Sequence, residues 1–491
     1  MKSVKNLIVP SIILLFLAVF AIVYFAVDSF RSRNTIETDT DSVKIVSYES
    51  SEIASVIVHN NVTGYNSKVV RNANSDGTDK YEFSGDDFDP SEKYSEAKLA
   101  DYVEYMTNFF ADSKVSSNGN FADFGLDNPR ITVTINTVAG ETVVVNIGND
   151  SPDGNYAYAN VSGSNDIYTI YSTKVLIAQY SSVSFLDEMS LNIDYNDIKS
   201  VHFERKSDGL SLDATVSISE SGISVFDIYE PYVHQASGYF GNLIDGIAHL
   251  TITEFVDTNT SDLSGYGLAD PAYRFVFTKI SGGTIDISFS RMNEGYCFGY
   301  IKGINKIFAI YDYQLDGANL QELVLIDPYV CYCYVKDIKF ITGKYGDQSF
   351  KFELDVPNGK SITSDNSTVT LDGRNAKVSD SYGRAYYSIL FESIACIKIG
   401  GIEMNPTSAG TQPEITLSFQ DNNYNTTVYD FYKRDENSYY VYKDGEYMHF
   451  YVYAEEIFND GGTDTYNYGF WKAYELLSKA ITENMNGIYD L

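Results

Sequence analysis

Residues 129–148, PRITVTINTVAGETVVVNIG, decide the fold of this chain. After Pro129, apolar side chains at Ile131, Val133 and Ile135 alternate with polar ones, a polar turn follows, and a second alternating segment continues to the end of the stretch. Successive side chains of a β-strand point to opposite faces, so this pattern predicts a β-hairpin with one apolar face. An isolated hairpin is marginally stable, so the rest of the chain must cover that face.

This hairpin pattern occurs three times at a constant spacing. Pro129, Pro271 and Pro413 follow one another at intervals of 142 residues. The aligned apolar positions are Ile131, Val133 and Ile135, then Tyr273, Phe275 and Phe277, then Ile415, Leu417 and Phe419. A common offset also aligns Tyr156 and Tyr158 with Phe298 and Tyr300 and with Tyr440 and Tyr442, after which the last strand of the first copy arrives two residues late. Such a fixed period predicts tandem repeats of one structural unit.

A helix-like segment precedes each of the three hairpins. The first helix is predicted to begin at Asp89-Pro90-Ser91-Glu92, which offers an acidic N-cap, a proline at the first helical position and a glutamate that can bond back to the cap. Its apolar stripe is Leu99, Val103, Met106 and Phe110, and the counterparts are Phe240, Ile244 and Ile247, and Tyr386, Leu390, Ile394 and Ile397. A pair of strands is predicted before each helix, opening at Ile53, Ile198 and Val335.

These elements predict an α+β fold of three tandem repeats. Each repeat has the order β-β-α-β-β-β-β and forms a mainly antiparallel sheet covered by one helix. One N-terminal transmembrane helix is expected before the repeats. The predicted domain limits are 1–33 for a cytoplasmic stub and membrane anchor, 34–52 for a solvated linker, 53–190 for module 1, 191–330 for module 2, and 331–491 for module 3 with a C-terminal helical tail.

The expected membrane anchor is the uncharged stretch from Leu7 to Val27. As a helix this stretch would span roughly 31 Å, about the thickness of the hydrocarbon core of a bilayer. Pro10 is tolerated in a first helical turn, and Tyr24 suits the far interface. The short N-terminal flank favours a cytoplasmic N-terminus and an extracytoplasmic body. The alternative is a cleaved signal peptide, whose apolar segment is usually shorter.

The net charge excludes one class of partner. The chain has 67 Asp and Glu against 35 Lys and Arg, a formal charge of −32. Nucleic-acid binding requires a basic surface that releases counterions from phosphates, so we expect no nucleic-acid partner. The acidic excess favours a solvated exterior, with attraction of basic partners or divalent cations as the alternative. The 42 Tyr and 29 Phe favour strands over helices.

No motif in the sequence predicts a reaction. The chain contains no Gly-x-Ser-x-Gly elbow and no phosphate-binding Gly-rich loop with Lys. A pair of carboxylates for glycoside cleavage stays an alternative, since their separation in space is invisible in the sequence. The histidines lack the His-Glu-x-x-His spacing of a zinc site, and they are His59, His202, His234, His249 and His449. We therefore predict no catalytic, cofactor-binding or metal-binding residue and no cofactor.

Cysteines and acidic clusters have structural explanations. Four cysteines are too few for a disulfide scaffold in a chain of this length. Cys331 and Cys333 flank Tyr332 without the Cys-x-x-Cys spacing, so we expect packed core thiols rather than ligands. Solvated turns are expected at the clusters considered for calcium, since none has an EF-hand loop; these are Asn149-Asp150 with Asp153-Gly154, Asp86-Asp87 with Asp89, and Asn459-Asp460 with Asp464.

Tyrosines crowd the third copy. Exposed rings can stack on sugar rings or meet a protein partner, whereas alternate tyrosines of a strand can instead pack against a covering helix. The sequence leaves both interpretations open, and burial of the rings would remove the basis for glycan binding. The residues concerned are Tyr439, Tyr440, Tyr442, Tyr447, Tyr451 and Tyr453.

The turn before the first hairpin also carries a family resemblance. Phe124-Gly125-Leu126-Asp127-Asn128-Pro129, followed by Asn146-Ile147-Gly148-Asn149, Tyr156-Ala157-Tyr158 and Ile167-Tyr168, resembles the bacterial family called domain of unknown function 4340. The second copy repeats the motif as Tyr266-Gly267-Leu268-Ala269-Asp270-Pro271, whereas the third lacks Gly-Leu before Pro413. The linkers Phe185-Leu186-Asp187 and Leu325-Ile326-Asp327, which lead into the next copy, also resemble this family.

The resemblance implies an exported accessory role. Members of the family are typically membrane-anchored envelope proteins, often encoded beside ABC-type transporter subunits and proteins similar to the gliding-motility component of such transporters, and no catalytic residue carries over. We therefore expect a non-enzymatic scaffold or accessory protein, single-pass in the cell membrane, whose partners are ABC-type transporter subunits or other envelope proteins. The alternative is a surface glycan-binding module that uses exposed tyrosines.

Overall fold

A computed structural model describes residues 43–483 except 75–77, 118, 220–221, 294, 332, 358–359, 381–382, 407–409 and 463–464. Within these residues the chain folds into antiparallel sheets with a few helices, which confirms an α+β fold with several sheets. No helix in the described part of the chain is long and apolar enough to cross a membrane. The predicted anchor from Leu7 to Val27 lies outside the described residues.

The first region begins with a strand that the sequence assigned to the end of the linker. Its elements are β1 (Val43–Ser47), β2 (Ile53–Asn60), β3 (Asn66–Ala73), β4 (Asp79–Gly85), α1 (Glu96–Thr107), β5 (Asn108–Ala111), β6 (Ser113–Ser116), β7 (Ile131–Thr137), β8 (Thr142–Asp150), β9 (Tyr156–Val161), β10 (Ile167–Tyr171) and α2 (Ser172–Ile177). The main sheet has the strand order β4-β3-β2-β7-β8-β9-β10-β6, and β1 pairs with β5.

The second region holds a sheet of corresponding order. Its elements are β11 (Met189–Ser190), β12 (Ile198–Arg205), β13 (Leu210–Ile218), β14 (Ser224–Glu230), β15 (His234–Gln235), α3 (Gly238–Ala248), β16 (Thr251–Ile252), β17 (Glu254–Asp257), β18 (Tyr273–Lys279), β19 (Thr284–Phe289), β20 (Tyr296–Ile301), β21 (Ile307–Tyr311) and α4 (Glu322–Leu325). The order of the large sheet is β15-β14-β13-β12-β18-β19-β20-β21-β17.

The third region repeats this order and ends in a longer helix. Its elements are β22 (Ile338–Tyr345), β23 (Gln348–Asp355), β24 (Thr368–Leu371), β25 (Arg374–Asn375), α5 (Tyr386–Ala395), β26 (Gly401–Ile402), β27 (Ile415–Asp421), β28 (Thr426–Asp435), β29 (Ser438–Lys443), β30 (Glu446–Tyr453), α6 (Glu455–Phe458), β31 (Asp460–Gly462), β32 (Thr465–Tyr468) and α7 (Phe470–Glu483). The large sheet has the order β25-β24-β23-β22-β27-β28-β29-β30-β26.

The tips of the three proline-linked hairpins make equivalent contacts. Each tip donates a backbone N–H to the carbonyl of the residue just before β2, β12 or β22, the strand that pairs with the first strand of the same hairpin. The pairs are Val138 with Glu52 at 2.8 Å, Ile280 with Asp197 at 2.6 Å, and Asn422 with Asp337 at 3.2 Å. The donors are again 142 residues apart, so the repeat in the sequence is also a repeat of backbone contacts.

The chain divides into two compact units. Among the described residues, the first unit consists of 43–193, Ile247–Phe275 and Ile285–Gln314, and the second of Asp194–Gly246, Val276–Thr284 and 315–483. The first unit holds the hydrophobic core of the first region, and the second holds that of the third. The limits 53–190, 191–330 and 331–491 of the three modules stay predictions.

In the first region the core lies between one face of the sheet and α1. Ile131, Val133 and Ile135 are at most 1% exposed, and so are Leu99 and Met106 of the helix. Fully burying each such side chain contributes about 1.5–3 kcal/mol. The apolar face predicted from the alternation is therefore the face that the helix covers.

The first helix is shorter than predicted at both ends. It begins at Glu96 with Ser95 as N-cap, because the Ser95 hydroxyl accepts from the backbone of the first turn, whereas Asp89 accepts from Ser91 in a separate turn. The helix ends at Thr107, and the predicted stripe residue Phe110 belongs to β5, where it is 45% exposed. Pairing of β5 with β1 keeps this segment extended, a tertiary effect that helical spacing does not show.

The predicted outline of each repeat also lacked a strand. Three strands of the main sheet, not two, precede the helix of the first region, and the additional strand β4 pairs with β3 at the edge of the sheet. The equivalent strands are β14 and β24. The buried Tyr81 and Phe83 alternate with exposed residues in β4, so the strand carries the period-two pattern, but the predicted outline did not include it.

The two extra residues of the first copy lie earlier than predicted. Ile147 pairs with Ala159, whereas the aligned Phe289 pairs with Gly299, so the insertion falls in the turn between β8 and β9. A shift by two residues keeps every side chain on its face, and the alternation therefore could not locate it. The corrected equivalence matches Tyr156 with Tyr296 and Tyr158 with Phe298, in place of Phe298 and Tyr300.

The Gly-Leu motif ends a short 3-10 helix in two of the copies. Gly125 and Gly267 follow that helix in the left-handed conformation, each with φ of 69°. A side chain is disfavoured in this conformation, which explains the glycine. The next residues, Leu126 and Leu268, are buried. The motif is thus an architectural turn into the hairpin.

Candidate functional site

Aromatic side chains collect on one face of the third sheet. Strands β28, β29 and β30 direct Phe431, Val441 and Val452 into the core that α5 and α7 cover. Alternate residues of these strands therefore lie on the opposite face. The rings on that face, here called the tyrosine face, belong to Tyr432, Tyr440, Tyr442, Tyr447, Tyr451 and Tyr453.

The rings of the tyrosine face contact one another. The centroids of Tyr432 and Tyr442 are 4.7 Å apart, and those of Tyr442 and Tyr447 are 5.2 Å apart. Tyr440 meets Tyr447 edge to face at 5.6 Å, and Tyr451 meets Tyr453 in the same way at 5.7 Å. Such pairs contribute about 0.5–1.5 kcal/mol each beyond the area they bury. The rings are consequently held in fixed positions by their neighbours.

Glu403 and Arg434 form the polar centre of this face. Arg434 Nε donates to one carboxylate oxygen of Glu403 at 2.9 Å, and the Tyr440 hydroxyl donates to the other at 2.6 Å. The Tyr447 hydroxyl donates to the backbone carbonyl of Glu403 at 2.8 Å. The guanidinium of Arg434 lies 4.3 Å from the ring centroid of Tyr451, a cation–π contact. The Glu403 and Arg434 pair therefore helps to hold the rings of Tyr440, Tyr447 and Tyr451 in position.

A bulge in β30 brings additional residues to the tyrosine face. Tyr440 pairs with Tyr451 but Tyr442 pairs with Tyr447, so β30 has two more residues than β29 in this interval. His449 lies within the bulge at φ of 65°, a left-handed conformation that costs a residue with a Cβ about 1–2 kcal/mol. Its ring packs on Tyr447 at 5.0 Å. Strained residues of this kind cluster at functional sites.

Of the tyrosines that crowd the third copy, some pack in the interior and others are exposed or half-buried. Tyr439 is 6% exposed and belongs to the helix-covered core, as the packing alternative predicts. Tyr440 is also buried, but on the tyrosine face. Tyr453 is 45% exposed, and the remaining three, Tyr442, Tyr447 and Tyr451, are half-buried. Burial raises the pKa of the Tyr442 and Tyr447 hydroxyls, so both stay protonated donors at neutral pH.

Lys174, in the first unit, was not identified from the sequence. Its ammonium donates to the backbone carbonyl of Tyr105 and lies 3.5 Å from the centroid of the Tyr105 ring. Burial lowers the pKa of the Lys174 amine to about 7, while the carbonyl and the ring face favour its charged form. A lone lysine in α2 gives no signal in the sequence, because its environment comes from α1.

Glu254 is a second titratable group of the first unit that sequence reasoning missed. Burial raises the pKa of its carboxyl to about 7, and the nearby charge of Lys98 opposes the rise. Lys98 Nζ in turn donates to the carbonyls of Leu186 at 3.1 Å and Thr253 at 2.6 Å. The charge of Glu254 also raises the pKa of Tyr180 after the larger effect of burial. These groups come from separate elements and meet only in the fold.

Four of the five histidines each bond to a different partner, in keeping with a structural interpretation. His234 packs on Phe450 at 4.9 Å, and burial lowers the pKa of its imidazole. Their partners are Asn66 for His59, Asp213 for His202, the carbonyl of Asp327 for His234 and the carbonyl of Met404 for His449. Each of these four histidines thus has a separate hydrogen-bond partner, and the partners of His234 and His449 come from distant parts of the chain.

The cysteines are free thiols with weakened acidity. Cys331 is 1% exposed in the core of the third region, and Cys333 packs against that core, as predicted for core thiols. Burial raises the pKa of Cys331 well above its ordinary value and that of Cys333 to about 12. Burial likewise raises the pKa of Cys297, to about 12, and that of Cys396. Thiols of this kind are poor nucleophiles at neutral pH.

The acidic clusters considered for calcium are engaged in turns and ion pairs. Asp87 accepts from the Tyr65 hydroxyl at 2.6 Å, and Asp150 pairs with Arg130. Asp464 lies outside the described residues. Within the described part of the chain, no group of three or more His, Cys, Asp or Glu could hold a metal ion.

The comparisons with known proteins concern the first copy. Residues 91–220, from just before α1 to just beyond β13, match the model of the family described as domain of unknown function (DUF4340), which confirms the resemblance seen in the sequence. A search of curated proteins found no match. Among solved structures, a provisionally named outer membrane protein of Bacteroides fragilis aligns at 9% identity over 56% of this chain and 98% of its own, with a TM-score of 0.08, a likeness too low to carry an argument.

Proposed function

We propose that this chain is a non-enzymatic accessory protein of the cell envelope. In this proposal one N-terminal helix anchors three tandem α+β modules, the body lies outside the cytoplasm, and the partners are ABC-type transporter subunits or other envelope proteins. The observation that carries the proposal is that the repeated residues serve the architecture. Scaffolds built from repeats use their framework in this way and leave exposed faces for partners.

The repeated residues support this proposal one by one. The apolar positions after each proline lie in cores, and Val133, Phe275 and Leu417 are each 0% exposed. Gly125 and Gly267 cap 3-10 helices. Each hairpin tip donates a backbone hydrogen bond to the residue just before β2, β12 or β22. A catalytic repeat would be expected to repeat polar side chains at hydrogen-bond distance from one another.

Copurification from the native membrane tests the proposal. The full-length chain with a C-terminal affinity tag is cross-linked in intact cells, purified and compared by mass spectrometry with a control in which residues 1–33 anchor an unrelated tagged protein. We expect transporter subunits or other envelope proteins to be enriched with the full chain. Recovery of only those proteins that the control also recovers would overturn the proposal.

Protease accessibility tests the expected location. In cells stripped of their wall, an external protease should degrade the body of the chain while the membrane stays intact. Protection of the body until the membrane is permeabilised would place it in the cytoplasm and contradict the proposed role.

A further inference from the structure

We infer that the tyrosine face of the third sheet is a binding site for a neutral oligosaccharide. The inference is independent of the transporter association, because it concerns the purified chain and a small ligand. It rests on three properties of the face: the preset arrangement of rings, the polar groups at their centre and the local charge.

The arrangement of rings fits a sugar. A pyranose ring presents an apolar face of C–H groups that packs on aromatic rings, and hydroxyl groups at its edge that need donors and acceptors. Tyr442 is half-buried and contacts Tyr432 on one side and Tyr447 on the other. Because these rings are already fixed by one another, ordering them would cost a ligand little free energy.

The polar groups at the centre supply orientation. Ligand sites combine an aromatic lining with a few placed polar groups. Here the Glu403 and Arg434 pair lies among the rings of Tyr440, Tyr447 and Tyr451, at hydrogen-bond or cation–π distance from each. Arginine and carboxylate groups can bond to adjacent sugar hydroxyls while the rings cover the C–H face.

The local charge selects neutral ligands. The strands and turns from Thr426 to Tyr453 carry five acidic and three basic residues, and the whole chain carries a formal charge of −32. An anionic glycan would be repelled by this field. Arg434 is already paired with Glu403 and Asp435, so it offers no free charge to a sulfate or carboxylate. A neutral sugar needs no such counter-charge.

The first sheet has an asparagine at the position of the central ring, Tyr442. In the first sheet, Asn146 of β8 lies opposite Asn160 of β9. The equivalent residues of the third sheet are Asp430 of β28 and Tyr442 of β29. Asn146 donates to the side chain of Asn160 at 3.2 Å. Tyr158 and Tyr171 of the first sheet take the positions of Tyr440 and Tyr453, so the first sheet differs from the third at the central ring, Tyr442.

Binding of defined oligosaccharides to the full chain in detergent micelles tests this inference. The probes are cellohexaose and chitohexaose as neutral sugars, a heparin hexasaccharide as an anionic sugar and decaproline as a peptide that also docks on tyrosines. We expect binding of at least one neutral sugar and an affinity at least about ten-fold lower for Tyr442→Asn, the loss expected when a central aromatic contact is removed.

Two controls keep the outcome interpretable. Tyr239→Ala removes a tyrosine of α3 that is 60% exposed and outside the face, and it should leave the affinity unchanged. Emission of Trp471, the single tryptophan, which is buried in the core of the third region, reports whether each variant is folded there. Binding of decaproline or heparin alone, no binding of either neutral sugar, or equal affinity of folded Tyr442→Asn would each overturn the inference.

Discussion

The first and third sheets share a strand order but differ on their open faces. On the face that a helix covers, both carry apolar residues, such as Val145 in the first sheet and Tyr429 in the third. On the opposite face, Asn160 of β9 corresponds to Tyr442 of β29. Burial constrains the covered face in every copy, whereas the open face is free to vary. The difference directs the search for function to the open face of the third sheet.

The largest effect is expected on the covered face of the third sheet. Phe431 is 0% exposed, and Phe431→Ala should lower the free energy of unfolding by about 3–5 kcal/mol, because a large cavity forms in the core. Denaturation of the full chain followed by Trp471 emission measures this loss. A loss below about 1 kcal/mol would show that this face is not the core of the region.

The architectural turn of the first copy gives the next largest effect. Gly125→Ala should cost about 1–2 kcal/mol for the left-handed backbone, with a further cost because a Cβ would lie 2.5 Å from the Asn149 side chain. Gly140→Ala is the matched control, since Gly140 also has a positive φ but has open space around its Cβ position. Thermal unfolding by circular dichroism should show the larger loss at Gly125; equal losses would contradict the role of the close approach.

The raised pKa of Glu254 predicts that the stability of the first unit depends on pH. Its folded-state pKa of about 7 lies above the ordinary value of 4.5, so its stabilising contribution is full below pH 4.5 and is lost as the pH rises through 7. Glu254→Gln should therefore match the parent chain at about pH 4 and exceed its melting temperature at about pH 8. A variant that is less stable than the parent chain in the alkaline range would mean that the favourable charge of Lys98 outweighs the burial of Glu254.

The smallest effect on stability is expected on the tyrosine face. Tyr442→Asn installs the residue that the first sheet has at this position, and it should change the free energy of unfolding by about 1 kcal/mol or less, because the ring is only half-buried. Denaturation followed by Trp471 emission checks this value. A loss comparable to that of Phe431→Ala would make Tyr442 a core residue and remove the contrast between the faces.

Much of the fold could be predicted because burial leaves a period in the sequence. The alternation after Pro129 and its recurrence located the central hairpins, and the stripes identified the three helices. The start of α1 was misplaced because Asp89 and Ser95 are both acceptable caps, and only the fold selects between them. The predicted outline left out β4 although Tyr81 and Phe83 alternate there, and it misplaced the insertion before β9 because a shift by two residues keeps each side chain on its face.

The candidate site was predictable only in part. The density of tyrosines in the third copy directed attention to the correct strands, and alternation puts Tyr439 and Tyr440 on opposite faces, but it could not show which face the helices cover. Glu403 and Arg434 are 31 residues apart and meet only through β26 and β28. Lys174 and Glu254 depend in the same way on contacts that the sequence does not reveal.

Hydroxyl-radical footprinting of the full chain, with and without the neutral oligosaccharide that binds, tests the central contrast most directly. We predict that the ligand protects tyrosines within 432–453 and leaves the aromatic residues of β9 and β10 in the first sheet unchanged. Protection in the first sheet, or oxidation of residues 432–453 that the ligand does not alter, would contradict the assignment of function to the tyrosine face.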